Sequence, residues 1–322
     1  MFKDIIKYNS EDFSVSELIR KKEGGEIIVV FSTLGEREAD SVCEKIEVLK
    51  SLPSGFIDRI VVNHRRSSDS EDRTEKKVKS LHPDVELFLS SEIPVPDMGS
   101  EPGKGADMRR TLYRLTTDRS ESINPDKIIV VFLDADVLPE YFSTHFVTAL
   151  AGAVLEGADF AKAGFWRKMG RVKKFAAQPV FSLISHPALE RLSDFSYPIS
   201  GEAAGTLKFF CSVSFWQRYG VETGILVDAL MGNYSVADVN LGLYDHEHHG
   251  DSFIQKMSFG VMRAFLKSLE RYGIISFSGD AGISDNIKYS FIDDKGDRRS
   301  FEEHFEEKLY GPLNSFPGRG EL

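Results

Sequence analysis

The sequence predicts an α/β protein built on one mostly parallel central sheet flanked by helices, and three observations carry that prediction. Strand-like and helix-like segments alternate through the first third of the chain, as a sheet with right-handed crossovers requires. The strongest strand candidate, KIIVVFL (127–133), is β-branched and apolar apart from Lys127, which suits a strand covered on both faces. Polar or acidic residues follow each strand directly, at the carboxyl edge where open sheets of this class bind ligands.

Taken in order, EIIVVFS (26–32) predicts a strand, and EADSVCEKIEVLKSL (38–52) a helix with Val42, Ile46 and Leu49 on one face. FIDRIVVN (56–63) is a second strand, followed by the polar helical stretch EDRTEKKVKSL, and VELFL (85–89) is a short third. The Pro-, Gly- and Ser-rich SSEIPVPDMGSEPGKG (90–105) predicts a loop, and ADMRRTLYRLTTDR (106–119) a return to helix before the 127–133 strand. Segments STLGERE, HRRSSDS and DADV then share one sheet edge. Beyond about residue 160 the alternation fades, so a 1–160 α/β half is expected to continue into an elaborated 161–322 half within one unit.

Composition excludes several classes of function. A formal net charge of −10 disfavours nucleic acid as a partner. No apolar run nears the roughly 20 residues that cross a bilayer, so no membrane association is expected. The start MFKDIIKYNSEDF lacks a signal-peptide core, and two cysteines, Cys43 and Cys211, give no disulfide framework. A cytoplasmic location is the expectation. One segment reverses the charge balance: WRKMGRVKKF (166–175) gathers Arg167, Lys168, Arg171, Lys173 and Lys174 with no acid. It reads as a small-anion site or as a solvated face.

The candidate chemistry is dispersed. Asp134 and Asp136 end the 127–133 strand; in an extended segment residues two apart point the same way, and paired carboxylates suit magnesium or manganese. GKG (103–105) precedes a helix and could meet a diphosphate, or be an ordinary turn. Glu222 opens an apolar helical run, as a dipole-favoured first-turn acid or as a binder of sugar hydroxyls. His246, His248 and His249 make a metal-site candidate or an exposed polar loop. Motifs of serine hydrolases, zincins and Rossmann dehydrogenases are absent.

The ordered series FSVSELIRKK, VVFSTLGERE, PGKGADMRR, FLDADV, FWRKMGRVKKF, PISGEAAG, YGVETGILVDAL and VNLGLYDHEH resembles the retaining glucosyl-3-phosphoglycerate synthases and the mannosyl-3-phosphoglycerate synthases grouped with them. The resemblance spans nearly the whole chain and is weakest after about residue 275. It implies a glycosyltransferase A-type fold with a nucleotide-sugar-binding first half and an acceptor-binding second half. It also implies a nucleotide-sugar donor, a magnesium or manganese ion, 3-phosphoglycerate as acceptor, and a homodimer. Carried over by position, Ser32, Thr33, Leu34, Gly35 and Glu36 would lie against the nucleotide, Lys104 against the diphosphate, and Asp134 with Ala135 on the ribose side. Asp136 and His246 would ligate the metal and Glu222 would hold the donor sugar. Gly170, Arg171 and Lys173 would receive the acceptor, with Gly201 and His248 around it.

Two departures bear on the donor. Gly35 stands where the family usually has asparagine, and HRRSSD (64–69) replaces a DSGSTD-like loop, removing an acid and adding Arg65 and Arg66. UDP-glucose is the donor the resemblance implies; the alternatives are a transferase of the same fold using GDP-mannose, another donor or another phosphorylated acceptor, and a nucleotide-sugar-binding protein without turnover.

Overall fold

A computed structural model describes residues 2–118, 124–168, 170–246 and 250–316. Its strands, in chain order, are β1 (Ile6–Asn9), β2 (Glu26–Leu34), β3 (Arg59–Arg65), β4 (Glu86–Leu89), β5 (Ile128–Asp134), β6 (Phe160–Trp166), β7 (Ala203–Thr206), β8 (Phe215–Trp216), β9 (Val236–Leu243), β10 (Asn286–Ile292), β11 (Arg298–His304) and β12 (Leu309–Tyr310). The helices are α1 (Val15–Lys22), α2 (Ala39–Lys50), α3 (Arg73–Leu81), α4 (Lys104–Asp118), α5 (His145–Leu155), α6 (Gln178–Phe181), α7 (Leu207–Ser212), α8 (Val221–Met231) and α9 (Asp251–Arg271).

Eight strands form one sheet in the order β1-β9-β6-β7-β5-β2-β3-β4. All pairings are parallel except those of β7, which runs antiparallel between β5 and β6. Strand alternation divides the core into two layers. Ile28, Val30, Val130 and Phe132 face a cluster with α4, α7, α8 and α9, while Ile27, Val29, Phe31, Val131 and Leu133 face α1, α2 and α5. Strands apolar on both faces are what this sandwiching selects. The mostly parallel sheet flanked by helices agrees with the sequence reading.

The chain runs from β2 outward through β3 and β4, then returns to place β5 on the other side of β2. Strand order therefore reverses between β2 and β5, and a crevice opens beyond their carboxyl ends. There Ser32 of β2 stands in register with Asn63 of β3 on one side and Asp134 of β5 on the other.

Three sequence expectations need correction. The second strand begins at Arg59 rather than 56, because Phe56 still belongs to a turn closed onto Pro53 O and Asp58 is the first residue to join β2, through Ile27 O. Helix α4 begins at Lys104, inside the stretch read as loop: Gly103 at φ +142 turns the chain, and its carbonyl accepts from Asp107 N. Asp136 does not continue the strand, since β5 ends at Asp134 and residues 135–136 form a turn. Alternation is thus not what orients the two acids.

Candidate active site

A cavity of about 520 Å³ occupies the crevice. Of the positions singled out by sequence, Ser32, Thr33, Leu34, Lys104, Asp134, Ala135, Asp136, Arg171, Gly201, Glu222 and His246 line it. Gly35, Glu36, Gly170 and Lys173 stand outside its lining, and His248 lies outside the described residues.

Lys104 is the hub. As the first residue of α4 it sends its ammonium between Asp134 Oδ1, at 2.5 Å, and Glu222 Oε1, at 2.8 Å. Burial would lower its pKa, but the two carboxylates outweigh that and raise it, so the lysine is held charged. Glu222 sits in the first turn of α8, where the helix dipole favours an acid. Gly201 packs directly on this triad: a Cβ there would lie 1.9 Å from Asp134 Oδ2 and 2.4 Å from Lys104 Nζ.

Asp136 has a different partner. Its Oδ2 is 3.9 Å from His246 Nδ1, beyond hydrogen-bond length. Two ligands each about 2.1 Å from one cation stand roughly 3–4 Å apart, so this separation fits a shared ion. The backbone fixes the encounter. Val137 and His246 form an antiparallel bridge, and Leu138 N donates to Asp245 O at 3.1 Å. Nearby Glu38, whose Oε2 accepts from Leu34 N at 2.8 Å, has its pKa pushed up to about 7 by burial and by the charges of Asp136 and Asp134. A carboxylate-rich wall of this kind invites a cation.

Beneath lies a buried polar layer that the sequence did not single out as a site. Glu202 accepts from Tyr244 Oη and Ser200 Oγ, each at 2.8 Å. Burial raises its pKa, as does the charge of Asp134. Lys162, on β6, donates to Ser200 O, and burial depresses its pKa to about 8. Tyr244 stacks on Phe165 with ring centroids 3.9 Å apart. Only Glu202 had a local cue, in PISGEAAG; the others look like ordinary sheet residues.

The strand-2 loop sorts its two arginines. Arg65 lines the cavity and is clasped by Asp107, with Nε at 2.9 Å from Oδ2. Arg66 turns away to the buried Glu75 and to Glu92. His64, Asp72 and Glu75 cluster closely enough to suggest a metal site, yet each is committed. His64 bonds Thr33 Oγ1 and Asp72 at 2.9 Å each, Asp72 caps α3 through Glu75 N, and Glu75 pairs with Arg66. Gly35 has φ +62 and gives its N–H to Arg65 O, a left-handed conformation that glycine or asparagine supplies most readily. Glu36 accepts from Arg73 N at 3.2 Å, at the start of α3.

In the basic segment, Arg171 pairs with the highly exposed Asp251 at 2.6 Å, and Arg167 with Asp245 at 3.1 Å. Lys173 donates to Ser196 O at 2.6 Å and lies over the Tyr197 ring. The cavity lining thus combines the acids of the β2–β5 crevice with the arginines Arg65, Arg167, Arg171 and Arg218. No helix among the described residues is long and apolar enough to cross a membrane.

No protein-family model matches the chain. It is 30% identical over 286 residues to the glucosyl-3-phosphoglycerate synthase of Petrotoga mobilis, covering 83% of this chain and 81% of that one. To the enzyme of the same name from Mycolicibacterium smegmatis it is 30% identical over 275 residues, covering 80% and 82%. Among solved structures, mannosyl-3-phosphoglycerate synthase from Rubrobacter xylanophilus superposes with a TM-score of 0.79 at 28% identity, over 96% of this chain and 95% of that one. Glucosyl-3-phosphoglycerate synthase from Mycobacterium tuberculosis, in complex with Mn2+, UDP and phosphoglyceric acid, superposes with a TM-score of 0.73 at 25% identity, over 94% and 95%.

Proposed function

Because the chain belongs to the glucosyl-3-phosphoglycerate synthase family and is a glycosyltransferase, we propose that it moves glucose from UDP-glucose to 3-phosphoglycerate with a divalent cation bound. The observation that carries this reading is the convergence of Lys104, Asp134, Asp136, Glu222 and His246 on one cavity at the β2–β5 switch point. Each side chain has a role there that its neighbours support.

Asp136 and His246 would hold Mg2+ or Mn2+, whose charge neutralises the departing diphosphate. Ser32, Thr33, Leu34, Asp134 and Ala135 form the nucleotide wall, with Gly35 and Glu36 shaping its turn. Lys104, fixed by two carboxylates, aims a permanent positive charge at the diphosphate side. Glu222 accepts hydrogen bonds from donor hydroxyls while Lys104 holds it in place. Arg171 receives the acceptor phosphate, for which a guanidinium fork is the suited group. Lys173 and Gly170 stand with Arg171 on the acceptor side, and Gly201 lines the acceptor's surroundings. No side chain is assigned as a covalent nucleophile.

The test is a panel of nucleotide sugars offered to purified protein with 3-phosphoglycerate and Mg2+, scored for sugar transfer. UDP-glucose should support turnover; transfer from no donor would end this reading. GDP-mannose is the second reading, favoured by the likeness to the mannosyl-3-phosphoglycerate synthase structure. A preference for it would keep the site and replace the donor.

A further inference from the structure

We infer that Asn63 is the residue that reads the donor's base, accepting a hydrogen bond from the ring N–H that sits beside a carbonyl in uracil. The inference rests on the nucleotide-sugar reading of the cavity and specifies how that cavity selects its nucleotide. Asn63 lies two residues before the end of β3, in register with Ser32, lines the cavity and is 99% buried. Its Nδ2 donates to Asp107 O at 3.0 Å. That bond fixes which way the amide points, because a carbonyl can partner only the NH2 end. Oδ1 is then left as an acceptor with no donor reaching it among the described residues.

A buried acceptor without a partner costs about 1–3 kcal/mol and calls for an explanation. Here the explanation is a ligand. Two residues further along the same strand face, Arg65 also lines the cavity, its guanidinium clasped by Asp107. Its Nη1 makes only a 3.5 Å contact with Ser100 O, so it retains capacity to donate. An acceptor on Asn63 and a donor on Arg65, two residues apart on one face of β3, match a base edge that presents N–H next to C=O. Uracil has that edge at N3–H and O4, and guanine has it at N1–H and O6. Cytosine and adenine present a bare ring nitrogen beside an amino group, the reverse pattern. They would set acceptor against acceptor.

The test needs no acceptor substrate and no turnover. Dissociation constants of UDP, GDP, CDP and ADP are measured calorimetrically with Mg2+ for the wild-type protein and for Asn63→Leu. The wild type should bind UDP at least about tenfold more tightly than CDP, which is about 1.4 kcal/mol. In Asn63→Leu that ratio should collapse towards one. A purely structural role would weaken both nucleotides alike and leave the ratio standing, and that result overturns the inference. So does equal wild-type affinity for UDP and CDP, a comparison that requires no variant to fold. Tight GDP binding with rejection of CDP and ADP would retain Asn63 as the base reader while removing UDP-glucose as the donor. Absence of binding by all four would overturn both.

Discussion

Adding a single methyl group at Gly201 should disable the enzyme while leaving it folded. The alanine Cβ would fall 1.9 Å from Asp134 Oδ2 and 2.4 Å from Lys104 Nζ. To regain ordinary contact the Asp134 carboxylate must retreat by roughly 1.5 Å. Its retreat breaks the 2.5 Å bond to Lys104 or drags the lysine from Glu222. Overpacking of this kind costs about 1–3 kcal/mol, which lowers Tm by several degrees in a chain of this size. Misplacement of positioning groups by about 1 Å costs on the order of 100-fold in rate. Gly201→Ala should therefore lose about two orders of magnitude in kcat/KM for UDP-glucose, with a cooperative melt retained. Initial rates of UDP release, paired with calorimetry, measure both. Wild-type kcat/KM in a folded Gly201→Ala protein would show that the Lys104–Asp134–Glu222 geometry is not needed, and the reasoning built on it would fail.

Asp136→Ala and His246→Ala should each lower turnover by about 10³-fold, since several kcal/mol of charge stabilisation go with the cation. Both should abolish the rise in Tm that Mn2+ gives the wild type; a retained rise would remove these residues as ligands. Arg171→Ala should raise KM for 3-phosphoglycerate by roughly 10- to 100-fold, the worth of a charge-assisted hydrogen bond, and leave KM for UDP-glucose in place. Lys162 gives a pH signature. Burial lowers its folded pKa to about 8, below its unfolded value, so the unfolded chain binds more protons between those limits. Wild-type stability should gain from this residue as pH rises from about 8 towards 10.4, by up to about 3 kcal/mol. In Lys162→Met that gain should vanish, which urea melts at pH 7.5 and 10 would reveal. Parallel pH trends in the two proteins would refute the assignment.

What could be read in the sequence follows from where the information lies. Strands β2 and β5 and helix α2 carry their own signals, in β-branched runs and in the 3.6-residue spacing of Val42, Ile46 and Leu49. Strand β1 does not, because IKYN is four residues long and owes its state to pairing with β9, over 200 residues away. Strand β7, AAGT, is small-residue chain with little β-propensity. It is a strand because β5 and β6 both pair with it, and because Gly205 packs against Asp159 O and Phe209. The site divides the same way. Acids and glycines near strand ends stand out, so Asp134, Asp136, Gly201 and Glu202 are visible, whereas Lys162 and Tyr244 join Glu202 in a network only once β6, β7 and β9 are assembled in one sheet. Asn63 was illegible for another reason: its significance is a missing hydrogen bond, which no sequence displays.

The two acids of the D-x-D stretch are separated by what the fold sets beside each. Asp134 still belongs to β5, and Lys104 pairs with it and with Glu222, so those three groups together carry one net negative charge. Asp136 stands one turn further on, where the bridge between Val137 and His246 brings up an imidazole. Neutral imidazole can share a cation but cannot offset a carboxylate by itself. Asp136 and, above its raised pKa of about 7, Glu38 add negative charge where a nucleoside diphosphate would approach. Two like charges at 4 Å repel by about 4 kcal/mol at an effective dielectric of 20. Lys104 is already balanced, so it cannot reverse that repulsion alone; a divalent ion between Asp136 and His246 can. On this argument the lysine would orient the donor and the ion would admit it, so turnover would need both.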